Sequence, residues 1–262
     1  MRFGVLGTLE IVDGDEVYMP SAPKVCQVLS LLLMRANRIV GTDAVIEELW
    51  DQAPVRSAVT TAQTYIYQLR KTLISYEVPG SGEPKLLTRP PGYVLRVKDD
   101  ELDAQIFGRL TSQGRRLLEE GRPEEARNRL GEALALWRGP ALANVARGPL
   151  LEGHVARLEE LRVEALEMRV RADLELGRHR ELIPELRTIV ASHPLHEWFH
   201  GRLIEALHRS GRRGEALRAY EDTRRILDEQ LGLEPSSELQ DLQLQVLTTE
   251  RPRSTGTFAG VS

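Results

Sequence analysis

A chain of 262 residues, 41% hydrophobic, 28% charged and 5% aromatic, has the composition of a soluble globular protein and room for one large domain or two ordinary ones. A single cysteine, Cys26, excludes an intrachain disulfide and a cysteine-rich zinc site. The start MRFGVLGTLEIV lacks a signal-peptide layout and the apolar run from Val28 to Met34 is too short to span a bilayer, so a cytoplasmic location is expected.

The net charge of -4 is unevenly spread: residues 56–98 carry seven basic and two acidic side chains, whereas the segments on either side are acidic. In chain order, RFGVL, LEIV and VYM are predicted as short strands, with Asp13-Gly14 as a turn. Ser21 is placed to cap a first helix, in which Val25, Val28, Leu29, Leu32 and Leu33 form a core-facing stripe ending near Asn37. Arg38-Ile39-Val40 is extended, and Thr42 can cap a second helix carrying Val45, Ile46, Leu49 and Trp50. After the loop Asp51-Gln52-Ala53-Pro54, a third helix runs from about Arg56 to about Ser75. Pro79-Gly80-Ser81-Gly82 breaks the chain. Leu86-Leu87-Thr88, a turn at Arg89-Pro90-Pro91-Gly92, and Tyr93 to Val97 then make a hairpin.

The strand signal ends at Asp103. Three segments repeat one pattern, a glycine followed by an apolar position five, nine and twelve residues later: Gly121 with Ala126, Leu130 and Ala133; Gly177 with Leu182, Leu186 and Ile189; Gly211 with Ala216, Tyr220 and Thr223. The last two glycines lie 34 residues apart, close to the period of about 34 of tetratricopeptide helix pairs. Thr223 fits the pattern imperfectly, and Arg138 to Pro149 interrupts it. The predicted fold class is therefore mainly α with a small β component: a winged helix-turn-helix over 1–98, an all-α tetratricopeptide-like domain over 99–248, and a disordered tail over 249–262.

On the third helix, Ala62, Ile66, Leu69 and Leu73 fall on one face. Ser57, Thr60, Thr64, Tyr67, Gln68 and Lys71 lie opposite, with Gln63 and Arg70 on a flank. No carboxylate occurs between Arg56 and Tyr76. Hydroxyl, amide and cationic side chains of this kind can address base edges and phosphates in a major groove. Arg89, beside two prolines at the hairpin tip, is the wing residue expected to reach a minor groove or a phosphate. Lys85 and Arg96 are weaker backbone-contact candidates.

Enzymatic signatures are missing: there is no GxxxxGK[ST], G-x-S-x-G or H-E-x-x-H. His193, His196, His200 and His208 cluster in sequence without completing a ligand set, so no metal, no cofactor and no catalytic residue is expected. Trp50, Trp137 and Trp198 are expected to be core anchors.

The chain resembles the Streptomyces antibiotic regulatory protein family over nearly its whole length. The resemblance lies in MRFGVLGTLEIV, in TTAQTYIYQLRKTL followed by TRPPGYVL, in ALALWRGPALANV, and in RLEELRVEALEMRVRADLELGRHRELIPELRTIVASHPLHE and ALHRSGRRGEALRAYEDTRRILDEQLGLEPSSELQDLQ. It implies an OmpR-like winged helix followed by a bacterial transcriptional activation domain, in the small form without appended ATPase or sensor domains. It further implies a transcriptional activator that binds promoter direct repeats as a dimer, recruits RNA polymerase holoenzyme with its sigma subunit, and switches on a secondary-metabolite gene cluster. Carried onto this sequence, it places Thr60, Gln63, Thr64, Tyr67, Arg70, Lys71 and Arg89 in the DNA-contacting elements. Trp50, Asp51, Gln52, Ala53, Pro54 and Val55 fall in the loop that faces polymerase. A protein-interaction adaptor and a repressor stand as the alternatives.

Overall fold

The computed structural model describes residues 1–51, 53, 55–75 and 84–248. The expected tail, the Pro79-Gly80-Ser81-Gly82 break and two positions of the loop, Gln52 and Pro54, lie outside the described residues. The chain divides into two compact units, Met1–Arg169 and the part from Val170 onward.

The first unit opens with an antiparallel meander of β1 (Arg2–Gly4), β2 (Glu10–Asp13) and β3 (Glu16–Tyr18), with Phe3 opposite Ile11 and Val12 opposite Val17. Then come α1 (Pro23–Met34), β4 (Val40–Gly41), α2 (Thr42–Trp50), α3 (Ala58–Ser75), β5 (Leu86–Arg89) and β6 (Gly92–Leu95). The second sheet has the order β4-β6-β5. The third helix and the hairpin thus lie where the sequence pattern puts them.

Helix α1 is the pillar of this unit. The stripe read from the sequence is buried, but so are Cys26, Gln27, Ser30 and Leu31, because α2, α3 and β6 all pack around it. A helix enclosed on every side has no solvent face to show amphipathic contrast. Cys26 is a small buried group whose Sγ lies 3.0 Å from the Pro20 carbonyl, and burial pushes its thiol pKa up.

Neither expected hydroxyl cap is used. The residue preceding α1 is Ala22, with Pro23 opening the helix and needing no amide partner. Thr42 instead donates its backbone N–H and its hydroxyl to the Pro91 carbonyl, each at 3.2 Å. The extended segment before α2 is thereby joined to the hairpin: Val40 pairs with Tyr93 and Gly41 with Gly92. A Cβ on Gly92 would overlap the Val40 carbonyl, so this approach requires glycine. Asn37, in left-handed conformation at φ 65°, fastens the other end. Its carboxamide accepts from Val97 N and donates to Val97 O at 2.9 and 2.7 Å.

The same unit contains α4 (Asp103–Glu119), α5 (Pro123–Leu134) and most of α6 (Pro149–Glu175). They join the winged elements through one continuous core, from Phe3 and Leu29 to Phe107, Trp137 and Leu151. The interruption from Arg138 to Pro149 is a strap across the meander: Arg138 N, Leu142 N and Ala143 N donate to the carbonyls of Leu6, Val5 and Gly7. Leu9 N donates to Asn144 Oδ1 at 2.7 Å. The Asp103 carboxylate takes Val5 N and Leu6 N, and Arg138 joins Asp103 to Glu10.

The second unit holds the end of α6, then α7 (His179–Ser192), α8 (Glu197–Arg209), α9 (Arg213–Leu231) and α10 (Ser237–Thr248). Here α7 packs on α8, α8 on α9, and α10 on both α8 and α9. The repeated glycines mark the hairpin turns. Gly121, Gly177 and Gly211 have φ of +71°, +74° and +78°. The arginine after each donates to a carbonyl five residues back: Arg122 to Leu117, Arg178 to Asp173 and Arg212 to Leu207. That is the Schellman stop, which glycine reaches without a Cβ penalty. All nine core positions keyed to these glycines are buried. Thr223 belongs there as a hydrogen-bonding residue: its hydroxyl lies 2.8 Å from both Ala219 O and His200 Nδ1.

Among the described residues no helix is long and apolar enough to cross a membrane, and no group of histidine, cysteine and carboxylate side chains could hold a metal ion. His200 meets the Pro194 carbonyl through Nε2 at 2.9 Å and Thr223 through Nδ1, so both ring nitrogens are engaged in packing.

Candidate nucleic-acid interface

The interface begins with the way α3 is pinned. Ala58, Ala62, Ile66, Leu69 and Leu73 are buried and seat the helix on α1 and α2. That leaves Val59, Thr60, Gln63, Thr64, Tyr67, Gln68, Lys71 and Ile74 exposed. Tyr67 shows 66% of its surface, an uncommon exposure for a large side chain with no partner to cover it. Thr64 donates its hydroxyl to Thr60 O at 3.0 Å, and Ser57 and Thr61 face each other at 3.4 Å. The oxygen lone pairs remain available on the outer face.

Two exposed apolar side chains, Val59 and Ile74, accompany this polar set. A helical-wheel reading directed at hydrogen-bonding residues passes over them, although their place off the buried stripe is visible in the sequence. An apolar contact of this size suits a thymine methyl group.

Beside the helix stands the wing formed by β5 and β6. Arg89 pairs with Gly92 across a two-residue tip, Pro90-Pro91, so its exposed side chain projects from the end of the hairpin. Lys71 and Arg89 have no ion-pair partner among the described residues. Uncompensated cations, one on α3 and one on the wing, are what an anionic backbone would neutralise.

Arg70 differs from its neighbours. It is half-buried, and its guanidinium donates to Leu86 O at 3.3 Å and to Thr88 Oγ1 at 3.0 Å. The third helix thus holds the first wing strand directly, which sets the spacing between the two elements. Lys85 likewise turns inward, to the Glu101 carboxylate at 2.7 and 2.8 Å. Burial would raise the pKa of Glu101, but hydrogen bonds from Lys85 and from the Lys98 N–H hold it below the usual value. Arg96 and Lys98 are exposed.

Trp50, the last residue of α2, is half-buried against the core, while Asp51, Ala53 and Val55 in the loop that follows are exposed. Two residues before Trp50, the buried Glu48 carboxylate fixes the base of the loop. Its Oε1 accepts Gly148 N at 2.6 Å and Gln27 Nε2 at 2.9 Å, and its Oε2 accepts Leu150 N and Leu151 N at 3.1 and 3.0 Å. An anion is thereby placed on the first turn of α6, where the helix dipole and the free amides favour it. Sequence periodicity could not reveal this contact, since a glutamate at the end of an amphipathic helix is ordinarily solvated.

Comparison with known proteins agrees with this architecture. Residues 102–247 match the family described as bacterial transcriptional activator domain, and residues 16–95 match that described as transcriptional regulatory protein, C terminal. The chain is 41% identical to regulatory protein DnrI of Streptomyces peucetius, over 95% of this chain and 93% of that one. It is 36% identical to regulatory protein AfsR of Streptomyces griseus, covering 95% of this chain and 25% of that longer protein. Among solved structures, Mycobacterium tuberculosis EmbR in complex with a low-affinity phosphopeptide superposes with a TM-score of 0.86 at 32% identity, over 95% of this chain and 65% of that one.

Proposed function

The chain belongs to the Streptomyces antibiotic regulatory protein family of transcriptional regulators, and we propose that it activates a secondary-metabolite gene cluster from the cytoplasm by binding promoter direct repeats and recruiting RNA polymerase holoenzyme. The observation that carries this reading is the outer face of α3, polar, cationic and free of carboxylates, standing beside a wing tipped by Arg89. Two protomers bind head to tail, each placing α3 in a major groove one helical turn from the next. Thr60, Gln63, Thr64 and Tyr67 address base edges. Lys71 and Arg89 take phosphates or the minor groove, and Arg70 contributes to the same surface while bracing the wing.

The loop from Trp50 to Val55 faces the sigma-containing polymerase. Its base is anchored through Glu48 to α6, so force on the loop passes into the packed body of the unit.

Run-off transcription with purified holoenzyme tests the proposal on a promoter carrying the repeats. Activation is expected with the natural spacing and is lost when about half a helical turn of DNA is inserted between the repeats. Equal activation from both templates would refute tandem binding as the basis of recruitment.

A further inference from the structure

Away from α3 and the wing, the first unit contains a groove of about 570 Å³ between the C-terminal end of α1, the start of α4 and the side of α6. Three arginines line it, Arg35, Arg38 and Arg157, together with His154, and no aspartate or glutamate does. In a protein where acidic residues outnumber basic ones, 39 to 35, such one-sided lining is not the expected average. Arg35 Nε stands 3.4 Å from His154 Nε2. None of the three arginines has an ion-pair partner among the described residues. The floor is apolar, made by Leu33, Leu102 and Leu158, which are buried.

We propose that this groove binds a small amphipathic anion, with a carboxylate or phosphate held by Arg35, Arg38 and Arg157 and an apolar body on the leucine floor. Like-charged guanidiniums gathered over a low-dielectric surface repel one another, and an anion relieves that repulsion while gaining charge-assisted hydrogen bonds. The volume falls in the range of small-molecule sites, about 300–1,000 Å³. His154 adds a donor once an anion is present: burial, then Arg35 and Arg157, hold its pKa below the ordinary value, while Glu48 opposes them. A bound anion acts as Glu48 does and moves it upward.

The place of the groove gives binding a consequence. It touches α1, the pillar on which α3 sits, as well as α4 and α6, so an occupant ties the winged elements more firmly to the helices behind them.

The test uses the full chain and the fluorescent anion 8-anilinonaphthalene-1-sulfonate, with decanoate as competitor. Saturable binding at one site per chain is expected, displaced by decanoate and not by uncharged decanol. Arg35→Gln/Arg157→Gln weakens it by about tenfold or more, while Arg187→Gln, on the second unit, leaves it unchanged. Circular dichroism and melting temperature establish that the variants are folded. Non-saturating fluorescence, equal displacement by decanol, or undiminished binding by the folded double variant overturns the proposal. So does a double variant whose only defect is weaker DNA binding, which would make these arginines phosphate contacts.

Discussion

Replacing Glu48 by alanine isolates the contact that joins the winged elements to α6. The wild-type carboxylate is 2% exposed and accepts four N–H groups, from Gly148, Leu150, Leu151 and the Gln27 side chain. Without it, the three backbone N–H groups stay in an enclosed site with no acceptor, Gln27 Nε2 keeps only the backbone carbonyl of residue 48 at 2.7 Å, and the first turn of α6 loses its compensating charge. At about 1 kcal/mol for each lost bond, the expected destabilisation is about 4 kcal/mol, comparable to the ~3–5 kcal/mol cost of breaking a buried charged pair. Glu48→Gln keeps one acceptor oxygen but turns an NH2 toward amide donors, and should cost about half as much. Urea unfolding followed by tryptophan fluorescence, in a Trp198→Phe background, restricts the signal to Trp50 and Trp137, both in the first unit. If Glu48→Ala unfolds within ~0.5 kcal/mol of its parent, α6 does not depend on this carboxylate and the anchoring argument fails.

Lys71→Ala and Arg89→Ala are each expected to reduce the slope of log affinity against log salt by about 1 in gel shifts with promoter DNA; an unaltered slope removes that side chain from the phosphate contacts. Arg70→Ala removes both bonds to β5, so amide exchange along Leu86–Leu95 should quicken and DNA affinity fall by about tenfold. Unchanged exchange would mean the wing is held by other contacts. Melting temperature should fall as pH drops below 6.5, since burial holds His200 below its ordinary pKa of 6.5, against the opposing effects of the Pro194 carbonyl and Glu197. The native ring resists a proton that the unfolded ring accepts. Stability is therefore complete above pH 6.5 and declines as pH falls toward the folded-state value. His154 and His179, lowered mainly by burial, add to the decline. His200→Gln should flatten it, and an equally steep profile in that variant would discount His200.

Local signals carried much of the fold. The three- and four-residue spacing of Ala62, Ile66, Leu69 and Leu73 defines how α3 sits, and the glycine-led pattern after Gly121, Gly177 and Gly211 marks the helix hairpins. These depend on neighbours a few residues apart. What escaped depends on partners distant in sequence: Thr42 turns to Pro91 instead of capping α2, Glu48 caps a helix a hundred residues later, and the interruption at Arg138 to Pro149 is a strap over Val5 to Leu9. Among the candidate contacts, exposure of Thr60, Gln63, Thr64, Tyr67 and Lys71 follows from which positions the core claims. The inward turn of Arg70 could not be read that way, because its partners arrive on β5.

The most direct measurement compares cognate and unrelated duplex binding by the Gln63→Ala/Thr64→Ala/Tyr67→Ala variant at fixed salt. A folded variant that binds both duplexes with nearly equal, weak affinity is the expected result, since base-edge contacts are gone while Lys71 and Arg89 remain. Retention of the wild-type preference for the cognate site would contradict the claim that α3 reads the DNA.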